Sequence, residues 1–96
     1  SDWLTKTGTY TAFAGDKIFV NTSSSAFTIT LPASPSVGDE VRFLDLANTF
    51  DSNNLTVGRN SEKIDGATSD LTVATEGAAF ALVYSGSTYG WKLLEK

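Results

Sequence analysis

The chain has 96 residues, 41% hydrophobic and 19% charged, and its 7 Lys and Arg against 11 Asp and Glu leave a net charge of −4. That length fits one domain with a thin core, because so small a chain buries only about two-thirds of the surface it exposes when unfolded. With no Cys and no His it has no disulfides, no thiolate chemistry and neither the commonest general base nor the usual transition-metal ligand, and with no basic patch it lacks the footprint of a nucleic-acid or anionic-membrane partner.

No apolar run approaches the ~20 residues of a membrane-spanning helix, so no membrane insertion is expected. Residues 1–10 do not follow the charged-then-apolar pattern of a signal peptide. Position 1 is Ser and the chain has no Met, so it is expected to be processed or excised from a longer protein.

The dominant signal is alternation with period two, interrupted by turn residues every eight to twelve positions or so. Residues 1–9 read as a first strand or a linker, and residues 10–96 as one β domain. Ala14-Gly15-Asp16 leads into the strand Lys17-Ile18-Phe19-Val20. Ala26 to Leu31 alternates, with Phe27, Ile29 and Leu31 facing the core and Thr28 and Thr30 facing out, until Pro32 and Pro35 end it. After the Val37-Gly38-Asp39 turn, Glu40 to Asp45 sends Val41 and Phe43 inward. A polar loop over 47–54 carries residues that form Asx turns. Leu55-Thr56-Val57 follows, then a short strand at Lys63-Ile64 closed by an Asp65-Gly66 turn, then Leu71-Thr72-Val73. Ala78 to Tyr84 is apolar on both faces, which reads as a central strand. The loop Ser85–Thr88 returns the chain as Tyr89 to Leu94, with Trp91 and Leu93 aligned. Seven to nine short strands in so few residues predict a small antiparallel β-sandwich or a small barrel.

The order of motifs is also familiar. It runs from Ala14-Gly15-Asp16-Lys17-Ile18-Phe19-Val20-Asn21-Thr22-Ser23 through Phe27-Thr28-Ile29-Thr30-Leu31-Pro32 to Val37-Gly38-Asp39-Glu40-Val41. Asn53-Asn54-Leu55-Thr56-Val57-Gly58-Arg59-Asn60, Ile64-Asp65-Gly66 and Val83-Tyr84-Ser85-Gly86 with Tyr89-Gly90-Trp91 complete it. This order resembles a small all-β module of tailed-bacteriophage virion proteins, of tail-fibre, appendage or capsid-decoration type, over roughly residues 10 to 94. The resemblance implies self-association, often as a homotrimer, contact with other virion proteins or a host surface glycan, and a place on the phage particle. It brings no catalytic residue and no cofactor.

Candidate binding residues are Trp3, Tyr89, Trp91, Asn53 and Asn54. Aromatic rings flanked by amides suit sugar or protein contact, since Trp and Tyr offer an apolar body with a polar tip. For Trp91 a core role outweighs this, whereas Tyr89 at a loop edge is expected to be exposed. Asp51, Asn53, Asn54, Asp65 and Asp70 are hard-cation ligands by type, but their spacing does not match a calcium loop, so no metal is expected. Asp45 with Glu40 or Asp39 is the pairable set of carboxylates for a hydrolase, yet five strand residues put Glu40 and Asp45 ~17 Å apart. Asn21-Thr22-Ser23 and Asn54-Leu55-Thr56 fit the glycosylation pattern, as chance allows in a chain rich in Asn, Ser and Thr. The sequence therefore points to a non-enzymatic module, with a carbohydrate-binding module of a secreted bacterial protein as the rival.

Overall fold

The computed structural model describes residues 2–94; residue 1 and residues 95–96, the outer ends of the two expected segments, lie outside the described residues. The strands are β1 (Leu4–Lys6), β2 (Tyr10–Thr11), β3 (Lys17–Val20), β4 (Phe27–Thr30), β5 (Glu40–Asp45), β6 (Leu55–Gly58), β7 (Leu71–Val73), β8 (Ala79–Tyr84) and β9 (Trp91–Leu93). No helix occurs among the described residues. The first sheet has five strands in the order β1-β3-β5-β8-β9, and the second has four in the order β2-β4-β6-β7. The sheets enclose one core in a sandwich-like arrangement that does not close into a barrel.

The expected antiparallel pairing holds only in part. Four of the seven strand pairs are parallel, namely β1–β3, β3–β5, β2–β4 and β4–β6. The reason lies in the path of the chain. From β1 to β6 each strand lies in the opposite sheet to the one before it. Neighbours within a sheet are therefore one full turn of a flattened coil apart, and they run in the same direction. Parallel neighbours need a long crossover, usually a helix; here the strand of the facing sheet serves as the crossover. The antiparallel pairs β6–β7, β5–β8 and β8–β9 close the far side.

Alternation fixes which face is buried. In β5 the burial runs half-buried, buried, three times over, with Val41, Phe43 and Asp45 inward. Ile18 and Val20 from β3, Ile29 from β4, Leu55 and Val57 from β6 and Leu82 from β8 are fully buried. Phe43 and Phe80, paired across β5 and β8, stack with centroids 5.0 Å apart. Each such side chain stabilises the fold by about 1.5–3 kcal/mol through its burial.

Two loops are pinned from within. Phe50, fully buried, plugs the core from the loop after β5. Asp45, only 3% exposed, accepts backbone N–H groups of Thr49 at 3.1 Å, Phe50 at 3.0 Å and Gly77 at 3.0 Å. One carboxylate thus ties the β5–β6 loop to the turn before β8. Beside it, the buried Thr22 hydroxyl meets that of Thr49 at 2.7 Å.

The expected strand at Lys63-Ile64 is a turn with isolated bridges. Ile64 and Ala67 exchange backbone hydrogen bonds around Asp65 and Gly66, whose φ values of 50° and 78° give the paired left-handed geometry of an Asp-Gly turn. Gly90 is held still more tightly. Its φ is 73°, and a Cβ there would lie 1.9 Å from the Lys63 carbonyl oxygen, which accepts the Trp91 N–H at 2.8 Å. Only glycine lets these two segments meet.

Candidate functional site

The outward faces of the two sheets differ in chemistry. On the second sheet, Thr28, Thr56 and Thr72 form one row across β4, β6 and β7. Thr11, Thr30 and Gly58 form the next, across β2, β4 and β6. This is a face of hydroxyl groups on χ1-stiff side chains. On the first sheet, Thr5, Phe19, Leu44 and Ala79 form a row from β1 to β8. Lys17, Arg42 and Ala81 lie beside it, and Leu94 extends this second row by donating its N–H to the Ala81 carbonyl at 2.9 Å. A third row holds Glu40, Val83 and Lys92. The first-sheet face thus has one apolar row beside Trp3, while Lys17, Arg42, Glu40 and Lys92 bring charge into the other two.

Trp3 lies against this face, 38% exposed. Its ring stacks on Phe19 with centroids 4.7 Å apart and planes 8° from parallel, and the Lys17 ammonium stands 5.7 Å from its centroid. Stacking on Phe19 fixes the indole orientation, and the cation adds a modest attraction. Next to the indole is a shallow hollow of about 130 Å³, bordered by Arg42, Phe43, Leu44, Ala79 and Phe80.

A larger polar cleft of about 460 Å³ opens between the Gly15-Asp16 and Gly38-Asp39 turns. Its charged groups hold the turns together. The Asp16 carboxylate accepts the Tyr10 hydroxyl at 2.8 Å and the Phe13 N–H at 2.9 Å. Asp39 accepts the Ser36 N–H at 2.8 Å, and Arg42 donates to Glu40 at 3.2 Å. Partial burial and then the bond to Asp16 push the Tyr10 hydroxyl above its ordinary pKa. Among the described residues no three Asp, Glu, His or Cys side chains cluster as metal ligands. Glu40 and Asp45 lie on opposite faces of β5, Asp45 buried and Glu40 outward.

The structure does not bring the sequence candidates together. Tyr89, 64% exposed, sits in the β8–β9 loop over Gly66. Trp91 is wholly buried, its ring 5.4 Å from Tyr84, so it serves the core and offers no surface to a ligand; its Nε1 has no hydrogen-bond partner among the described residues. Tyr84 donates to Glu62 at 2.6 Å, a bond that, with desolvation, raises its pKa. Asn53 Nδ2 donates to the Thr22 carbonyl at 2.9 Å and braces the loop, while Asn54 is half-buried just before β6. Trp3 alone of the five belongs to a broad apolar surface. Its partners Phe19, Leu44 and Ala79 were not singled out from sequence, although adjacent apolar residues such as Ile18-Phe19 and Phe43-Leu44 signal a strand that is apolar on both faces.

No protein-family model matches the chain, and no curated protein matches it.

Proposed function

We propose that this chain is a non-enzymatic structural and adhesion module of a bacteriophage virion, carried on a tail fibre or other appendage. It self-associates and presents its loops to the host surface or to neighbouring virion proteins. The observation that supports association is the contrast between the outward faces, one apolar around Trp3 and Phe19, the other lined by threonine hydroxyls. The row of Phe19, Leu44 and Ala79 beside Trp3 has the chemistry of a surface to be covered. Its place on a phage particle rests on the resemblance of its motifs to virion modules, with a capsid decoration protein as the alternative address. Contacts repeated over several copies add up to avidity that a single weak contact lacks.

A carbohydrate-binding module is the second reading, favoured by the exposed rings of Tyr89 and Trp3. Light scattering on the purified chain, with titration of host-surface glycans, separates the two. A defined oligomer, three copies if the resemblance extends to stoichiometry, supports the virion module. A strict monomer that binds glycan overturns it.

A further inference from the structure

We infer that the free edge of β7, with the apolar groove beside it, takes up one extended segment of a partner polypeptide, which joins the second sheet as a fifth strand. The site does not depend on self-association of the module. Its partner is defined by chemistry: apolar side chains at alternate positions, closed at both ends by Lys or Arg.

The two sheets are unequal, and the inequality leaves a gap. Among the described residues the first sheet has five strands and the second four, so β9 overhangs β7 with no strand to face it. The inward side chains show the consequence. Val73 and Leu71 pair with the fully buried Leu55 and Val57, and Leu93 pairs with the fully buried Leu82, yet all three stay half-buried. With Ala78 and Phe80 they border a groove of about 410 Å³.

The backbone sets the kind of occupant. Among the described residues Leu71, Thr72 and Val73 pair with β6 alone, so their other edge keeps unpaired N–H and C=O groups. The outer edge of β9 differs, because the Lys63 carbonyl and the Asp65 N–H cap Trp91. Free peptide groups beside an apolar groove are the arrangement of strand addition, in which main-chain bonds supply affinity and the groove selects alternate side chains. From Leu71 to Thr75 the edge also carries neither Lys nor Pro, the residues that keep strand edges from pairing.

Two features narrow the partner. A second folded copy pairing through its own β7 would bring its β8 against the overhanging β9, so the gap is one strand wide. Asp70 precedes β7 and the exposed Glu76 follows it, and among the described residues neither has an ion-pair partner. Cations at the ends of the added segment meet these carboxylates. A segment matched to the 3 residues of β7 buries less than the ~1,200 Å² at the low end of specific interfaces, so the complex is reversible.

The test titrates the ¹⁵N-labelled whole chain with a capped peptide of alternating valine and threonine that ends in lysine on both sides, up to about 2 mM. Amide signals of β7 and Leu93 are expected to move saturably, and the free-edge amides of β7 to gain protection from hydrogen exchange. The same peptide with methylated backbone nitrogens keeps its side chains but loses its donors, and is expected not to bind. Glutamate ends in place of lysine are expected to weaken binding about threefold or more, and Glu76→Lys to weaken the lysine-ended peptide by a similar factor. Ala74→Arg puts a cation at an exposed position on the groove and is expected to weaken it further, whereas Thr11→Lys, on the far edge of the same sheet, leaves it unchanged. Melting temperatures close to the parent's show that the variants fold; should Ala74→Arg not fold, Glu76→Lys carries the comparison. Stationary β7 signals, an equal response to the methylated peptide, or indifference to the folded variants refutes the added strand. A dimer formed through β7 without peptide overturns the one-strand gap.

Discussion

Replacing Asp45 with Ala tests the claim that one buried carboxylate anchors two loops. The substitution removes the acceptor for the amides of Thr49, Phe50 and Gly77. The Phe50 bond is buried, so its N–H is left without a partner, at a cost of about 1–3 kcal/mol; the other two are part-buried and partly regain water, at about 0.5–1 kcal/mol each. The total is about 2–5 kcal/mol, against the roughly 5–14 kcal/mol expected for a domain of this length. Asp45→Asn keeps one acceptor oxygen but turns an NH₂ toward the donors, so it is expected to lose more than half as much. Urea unfolding followed through the fluorescence of Trp91, the buried indole, measures both. The midpoint is expected to drop with an unchanged slope, and the melting temperature by at least about 8 °C. An Asp45→Ala protein within about 0.5 kcal/mol of the parent, the range of inert surface changes, would falsify the anchor.

Gly90→Ala forces a Cβ onto the Lys63 carbonyl at a φ of 73°. Strain, overpacking and a disturbed Trp91–Lys63 bond together are expected to cost about 3–5 kcal/mol, and a well-folded variant with parental melting temperature would refute the close approach. Phe50→Ala empties a fully buried site and is expected to cost about 3–5 kcal/mol in the same urea assay; a loss under about 1 kcal/mol would mean the loop does not plug the core. Tyr84 and Tyr10 both hold their protons to higher pH than an ordinary tyrosine, so the folded chain binds them more tightly than the unfolded one. Their contribution is fully present below about pH 10 and is lost as pH rises through the raised values. Melting temperature is expected to fall above that point, and less in a Tyr10→Phe, Tyr84→Phe double variant; identical alkaline profiles would count against it.

Strand identity was legible where a strand has one wet and one dry face. β4, β5 and β7 alternate Thr or charged residues with Phe, Ile, Leu and Val, and periodicity finds such segments directly. β2 was missed because two residues, Tyr10-Thr11, are too few to show a period. Lys63-Ile64 was read as a strand because Ile64 precedes an Asp-Gly turn, but only Ile64 makes bridges. Parallel pairing left no local trace. The hydroxyl face of the second sheet gives β4 and β6 the alternation usual in antiparallel sheets, and the winding that makes them parallel depends on partners some 28 residues apart, such as Phe27 with Leu55. For the surface around Trp3, the residues of β3 and β5 hinted at a dry outer face. The stacking of Trp3 on Phe19 depends instead on the register of β1 against β3, which no short-range pattern carries.

The coiled path also bears on how the chain acquires its structure. Neither β1 nor β2 has a neighbour to pair with until the chain has passed through the opposite sheet and come back. Among the described residues, the hairpin of β8 and β9, closed by the loop from Ser85 to Gly90, is the one tight local ladder. Folds dominated by distant pairings pay loop-closure entropy before any contact rewards them, and they fold in milliseconds to seconds. The parallel half is therefore expected to assemble late and cooperatively, after β8 and β9 have provided a template. Substitutions in the β8–β9 loop should then slow folding, whereas those around β1 should mainly speed unfolding.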